Sequence, residues 1–153
     1  MGKKNLLTLS IIVIVGVSAC GTAINGSPVS PGGVDIGHVV PVIGSGRYID
    51  ITSLELKTML EEKDFFFVNV HIPYEGELPD TDIFIPFDEI EENLSQFPQD
   101  KDAKIVLYCR SGSMSATAAR EMVGLGYTNI YNLDGGFRSW NEAGYEFIEH
   151  EGM

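Results

Sequence analysis

The residues with the clearest chemistry stand together in Tyr108-Cys109-Arg110-Ser111-Gly112-Ser113-Met114-Ser115. Lys104 to Tyr108 is apolar after its first residue and reads as a buried strand. Ser115 to Leu125 places Ala116, Ala119, Met122 and Val123 on one face and reads as a helix. A cysteine between them faces the unpaired amides of a first helical turn and the positive end of the helix dipole. Both stabilise an anion placed there, and the thiolate is the form of cysteine that acts as a nucleophile. Cys109 is therefore the candidate nucleophile and Arg110 the candidate anion binder. Ser111, Ser113 and Ser115 carry hydroxyls that can donate to a small anion. Gly112 lets the backbone curl towards the sulfur, so that amides from Arg110 through Met114 to Ser115 can cradle it. Each residue also has a plainer role open to it. Cys109 can pack as a small hydrophobe, Arg110 can be a solvated surface charge, Gly112 can serve a simple turn, and the serines can cap the helix.

The elements that position this loop follow from the patterning on either side. Tyr48 to Ile51 reads as a short strand. Thr52-Ser53-Leu54-Glu55 is a capping box, with Thr52 as N-cap, and Leu56, Met59 and Leu60 supply the apolar face of the helix it starts. Phe65 to Val70 is aromatic and β-branched, as expected of a strand buried on both faces. Ile83 to Pro86 predicts a short strand, Glu89 to Leu94 a short helix, and Asn129 to Leu133 another strand. Gly126 is placed to end the loop helix. Asp134-Gly135-Gly136 is turn chemistry, and Phe137 to Ala143 forms a last helix carrying Trp140. Strands alternating with helices predict an α/β domain with a mostly parallel central sheet and helices on both faces.

With these elements in place, the second half of the chain resembles a rhodanese domain. The resemblance rests on Ile105 to Gly112, Ser115-Ala116, Ala118-Ala119, Leu125-Gly126-Tyr127, Tyr131 to Phe137, Trp140 and Ala143-Gly144. It implies a rhodanese-like fold over about Tyr48 to Phe147. It also implies transfer of a sulfane sulfur from a small anionic donor such as thiosulfate to a thiophilic acceptor, through a persulfide on Cys109. Met114 stands where members often carry a second loop arginine. Asn69-Val70-His71 stands where they often carry Asp-Val-Arg, and Gly76 to Thr81 looks like the Gly-His-Ile-Pro-Gly-Ala stretch, with one extra residue before Ile85-Pro86. The polar contacts behind the loop must therefore be built differently. Two other readings use the same loop: a non-catalytic binding or sulfur-carrier module, and a cysteine phosphatase or arsenate reductase. The phosphatase pattern places an arginine where this chain has Ser115, so its dianion clamp is missing.

The start of the chain has a different character. Lys3 and Lys4 precede an apolar run from Leu6 to Val17, and Val17-Ser18-Ala19-Cys20 follows. This is signal-peptide layout, and the run is shorter than the ~20 residues of a spanning helix. Val-Ser-Ala-Cys resembles the lipobox of bacterial lipoproteins, which implies cleavage before Cys20, its acylation and an extracytoplasmic, membrane-anchored protein. The alternatives are a signal cut after Ala19 or an uncleaved anchor. Gly, Pro and Ser then dominate Gly21 to Gly46. These features divide the chain into a lipoprotein signal peptide at 1–19, lipidated Cys20 with a flexible tether at 20–46, and the folded domain at 47–153. Val39 to Ile43 is apolar enough to add a strand to that domain, and His38 is expected to be exposed. With a net charge of −12, nucleic acid is not an expected partner. His38, His71 and His150 show no metal-ligand spacing with either cysteine, so neither a metal nor another cofactor is expected. Cys20 and Cys109 are the only cysteines, and acylation of the first leaves the second without a disulfide partner in the chain.

Overall fold

The computed structural model describes residues 36–149. The signal-like segment, Cys20 and the first part of the glycine-rich stretch lie outside the described residues. Six strands form one sheet in the order β1 (His38–Val42), β2 (Gly46–Ile51), β7 (Ile130–Leu133), β6 (Ile105–Tyr108), β3 (Phe66–Asn69) and β5 (Ile83–Phe84). All neighbours are parallel except β1 and β2, which form an antiparallel hairpin. A second, two-stranded antiparallel pair joins β4 (Gly76–Glu77) to β8 (Ile148–Glu149).

The sheet is covered on both faces, as the alternation of strands and helices predicts. All four residues of β6 are buried, because alternate side chains feed two separate apolar layers. Ile105 and Leu107 pack with Val68, Val70 and Ile130 against Ala118, Ala119 and Met122 of α2 (Ser113–Gly124). Val106 and Tyr108 pack on the other face with Phe67, Leu56 of α1 (Ser53–Glu61) and Trp140 of α3 (Gly136–Glu142). Burial pushes the Tyr108 phenol well above its ordinary range. Its hydroxyl accepts the Leu78 amide and meets the Thr81 hydroxyl.

The capping box forms as read. The Glu55 amide donates to the Thr52 hydroxyl, while the Thr52 amide and hydroxyl donate to the Glu55 carboxylate at 2.7 and 2.8 Å. The other oxygen of that carboxylate accepts the Gly37 amide at 2.8 Å. Burial raises the Glu55 carboxyl, but these hydrogen bonds outweigh it and hold it below the usual carboxylate range. The contact with Gly37 also corrects the boundary at residue 47. β1 lies inside the stretch read as tether: it pairs with β2 from Gly46 to Asp50, and Glu55 ties down the residue that precedes it.

Three local expectations change. α2 starts at Ser113 rather than Ser115 and ends at Gly124, with Gly126 just beyond its Leu125 cap. Glu89 to Leu94 is a series of turns that ends in a 3-10 turn at Leu94–Gln96. Four carboxylates crowd Asp88 to Glu92, only Ile90 among them is buried, and the Asn93 side chain takes the Glu89 carbonyl. The third strand shortens to Ile83–Phe84, the part that pairs with β3.

Candidate active site

Cys109 follows β6 directly, at the carboxyl end of the parallel strands, where open α/β sheets form their binding crevice. Its side chain belongs to the apolar layer under α2 and is only 1% exposed. The sulfur accepts the Gly112 amide at 3.2 Å and the Ser115 hydroxyl at 3.4 Å. Gly112 makes this possible. As N-cap of α2 it has φ of 87°, a left-handed conformation that turns its amide back towards the sulfur. Starting the helix two residues early also places Ser115 in the first turn, fully buried and facing Cys109. The Ser115 hydroxyl has a second acceptor, the Gly112 carbonyl at 3.2 Å. An anionic sulfur in this position gains two donors and a helix start.

A second helix holds the loop from the other side. The first-turn amides of α3 donate to the loop carbonyls, Phe137 to Cys109 at 2.9 Å and Arg138 to Arg110 at 3.1 Å. The Asp134-Gly135-Gly136 turn is what brings α3 this close. A Cβ on Gly136 would stand 2.2 Å from the Cys109 carbonyl oxygen. Gly136 thus sets the distance between α3 and the sulfur loop, whereas a Cβ on Gly135 would meet Ser139 of α3 itself.

The other loop residues diverge. Arg110 is exposed and reaches the Glu75 carboxylate at 3.3 Å. Met114 is half-buried and packs against the α2-side core, so its side chain is structural. Ser111 and Ser113 are exposed and line a polar cleft with Asp50, Asn132, Asp134 and Arg120. Of the sequence-nominated groups, the structure gathers Cys109, Gly112 and Ser115 around the sulfur. It leaves Arg110, Ser111 and Ser113 on the surrounding surface.

Glu75 also meets the loop, through Arg110, with His71 and Asn69 behind it; the sequence alone did not single out this group. β3 continues beside β6, with the Val70 amide on the Tyr108 carbonyl at 2.8 Å. His71 therefore emerges next to the cysteine loop. Its ring is buried edge-on to Phe137, with Nε2 3.5 Å from Glu75. The available signal was His71 and Glu75 four residues apart, in the first half of the domain, where the chain departs from the family pattern. Among the described residues, no group of three or more His, Cys, Asp or Glu is placed to hold a metal.

Fold and site together define an α/β thiol domain, with one cysteine set between the carboxyl end of a central strand and a helix start. The chain belongs to the rhodanese-like domain family, whose model matches residues 54–143. It is 33% identical over 107 residues to a sulfurtransferase of Allochromatium vinosum, covering 68% of this chain and 96% of that protein. It is 34% identical over 97 residues to a tRNA uridine(34) hydroxylase of Erwinia tasmaniensis, covering 60% of this chain but only 27% of that one. A rhodanese-like domain protein from Staphylococcus aureus superposes with a TM-score of 0.54 at 30% identity, over 67% of this chain and 98% of that structure. At the family level the chain is of sulfurtransferase type.

Proposed function

We propose that this protein moves a sulfane sulfur of the thiosulfate type through a persulfide on Cys109 to a thiophilic acceptor. The observation that carries this reading is the pair of donors on the Cys109 sulfur, at the start of α2. They stabilise negative charge on the sulfur that attacks, and on the same sulfur when it leaves as thiolate in the second transfer. The thiolate attacks the outer sulfur of thiosulfate. The sulfur–sulfur bond of the donor breaks, sulfite leaves with the electron pair, and Cys109 carries one added sulfur. An acceptor thiolate or cyanide then attacks that outer sulfur and returns the thiolate. Intact-protein mass spectrometry should show one sulfur atom added on incubation with thiosulfate, removed again by cyanide, and absent in Cys109→Ser. No added mass on the wild type with any sulfane donor would sink the reading.

The same proposal places the domain outside the cytoplasm, anchored to a membrane by lipid on Cys20. Its support is the order of Lys3-Lys4, the apolar run and Val17-Ser18-Ala19-Cys20. In the native host the wild-type chain should fractionate with membranes and the Cys20→Ser chain should not. Continued membrane association of Cys20→Ser would remove the anchor.

A further inference from the structure

Asn69, the last residue of β3, is fully buried. Its Oδ1 accepts the His71 amide at 3.0 Å and its Nδ2 donates to the Gly76 carbonyl at 2.9 Å. These two bonds fold the segment after β3 back on itself and carry Glu75 to the cysteine loop. There Glu75 Oε1 lies 3.3 Å from the Arg110 guanidinium and 3.5 Å from His71 Nε2. The imidazole is itself fixed by Phe137, whose amide holds the Cys109 carbonyl. Glu75 is thus positioned by the same groups that build the loop.

Arg110 and Arg138 each have a carboxylate partner. Arg110 is the only cationic side chain between Cys109 and Ser115, and Glu75 faces it. Arg138, whose amide holds the Arg110 carbonyl, has its side chain 3.9 Å from Glu142. Arg120 shares its cleft with Asp50 and Asp134. A dianion approaching Cys109 meets the loop's own cation, Arg110, already paired with Glu75, and the chain as a whole carries −12.

We propose that Glu75 is a specificity-determining residue, which neutralises Arg110 and so turns the loop towards singly charged or uncharged sulfane-sulfur donors and away from dianions such as thiosulfate. The proposal rests on the sulfurtransferase reading for the reaction itself. A thiosulfonate monoanion serves as the comparison donor. The Cys109 thiolate takes its outer sulfur, the sulfur–sulfur bond breaks, and sulfinate leaves with the electron pair. Sulfite leaves in the same way from thiosulfate, so the two donors differ chiefly by one charge.

The test compares wild type with Glu75→Gln in two readouts. The first is the rate at which Cys109 gains sulfur from thiosulfate and from benzenethiosulfonate. The second is the rate of Cys109 alkylation by iodoacetate and by iodoacetamide, which needs no sulfur transfer. Removing the carboxylate that faces Arg110 should raise the thiosulfate-to-benzenethiosulfonate rate ratio roughly three- to tenfold. The iodoacetate-to-iodoacetamide ratio should rise by a similar factor, and added salt should shrink both effects. Glu75→Ala, which keeps no hydrogen-bonding group, should move both ratios in the same direction. Unchanged alkylation ratios in both variants would overturn the proposal. Normal sulfur loading with an unchanged donor ratio would overturn it while leaving the sulfurtransferase reading intact. Absence of loading from either donor, with the alkylation ratio shifted, would uphold the charge role of Glu75 and sink the sulfurtransferase reading.

Discussion

Gly136→Ala is expected to destabilise the domain by about 4 kcal/mol and to disrupt the sulfur loop with it. The added Cβ would lie 2.2 Å from the Cys109 carbonyl oxygen, 2.5 Å from the Arg110 carbonyl carbon and 2.6 Å from its oxygen. All three are backbone atoms, so no side-chain rotation relieves the contact. Gly136 also has φ of 59°, which a residue with a Cβ adopts at a cost. Relief requires α3 to withdraw, and withdrawal breaks the Phe137 and Arg138 amide bonds to the loop carbonyls. Thermal unfolding followed by circular dichroism should show a midpoint lower by on the order of 10–20 °C. Gly124→Ala is the matched control. It sits in α2 with nothing within 4 Å of the new Cβ, and it should be neutral or stabilising by up to about 1 kcal/mol. Equal melting of Gly136→Ala and wild type would mean that α3 does not clamp the loop.

Asn69→Asp should be the second severe change, although it is nearly isosteric. Asn69 donates through Nδ2 to the Gly76 carbonyl and accepts through Oδ1 from the His71 amide. An ionised aspartate keeps the second bond, loses the first, and sets a buried carboxylate oxygen against a carbonyl oxygen. The cost is about 3 kcal/mol at neutral pH. Burial beside a carbonyl disfavours the charged form, so the new carboxyl titrates higher in the folded state than in the unfolded chain. The penalty is therefore full at pH above that folded value. It shrinks as pH falls below it, because a protonated carboxyl can donate to Gly76 again. Urea unfolding of variant and wild type at about pH 7.5 and about pH 5 should show the gap narrowing at the lower pH. A gap that widens on acidification would contradict the assigned hydrogen bonds.

The loop itself was legible from sequence because its signals are local. An apolar run, a cysteine, a glycine and a small-residue helix lie within one short stretch, and the Thr52–Glu55 box is read in the same way. The alternation of strands and helices was enough to predict a parallel sheet covered on both faces. Contacts formed by strand order were not legible. Glu75 and Arg110 are 35 residues apart, and they meet only because β3 lies beside β6 in the sheet. Gly135 and Gly136 read as a turn, whereas Gly136 also allows the close approach of α3 to the Cys109 and Arg110 carbonyls. The start of α2 lies before Ser115 because Gly112 acts as a left-handed N-cap. β1 forms at the apolar Val39 to Ile43 run, where an added strand was expected, and the Gly37 amide on Glu55 ties down the residue before it.

The Ser115 hydroxyl has one proton and two acceptors in reach, the Cys109 sulfur at 3.4 Å and the Gly112 carbonyl at 3.2 Å. Rotation about its C–O bond moves that proton from one acceptor to the other without moving a heavy atom. The hydroxyl is a rotor enclosed in the core. When negative charge sits on Sγ, the proton can point at the sulfur; when the charge leaves Sγ, it can turn to the carbonyl. Neither position leaves a buried donor unsatisfied, so charging and discharging the cysteine requires little reorganisation of the protein around it.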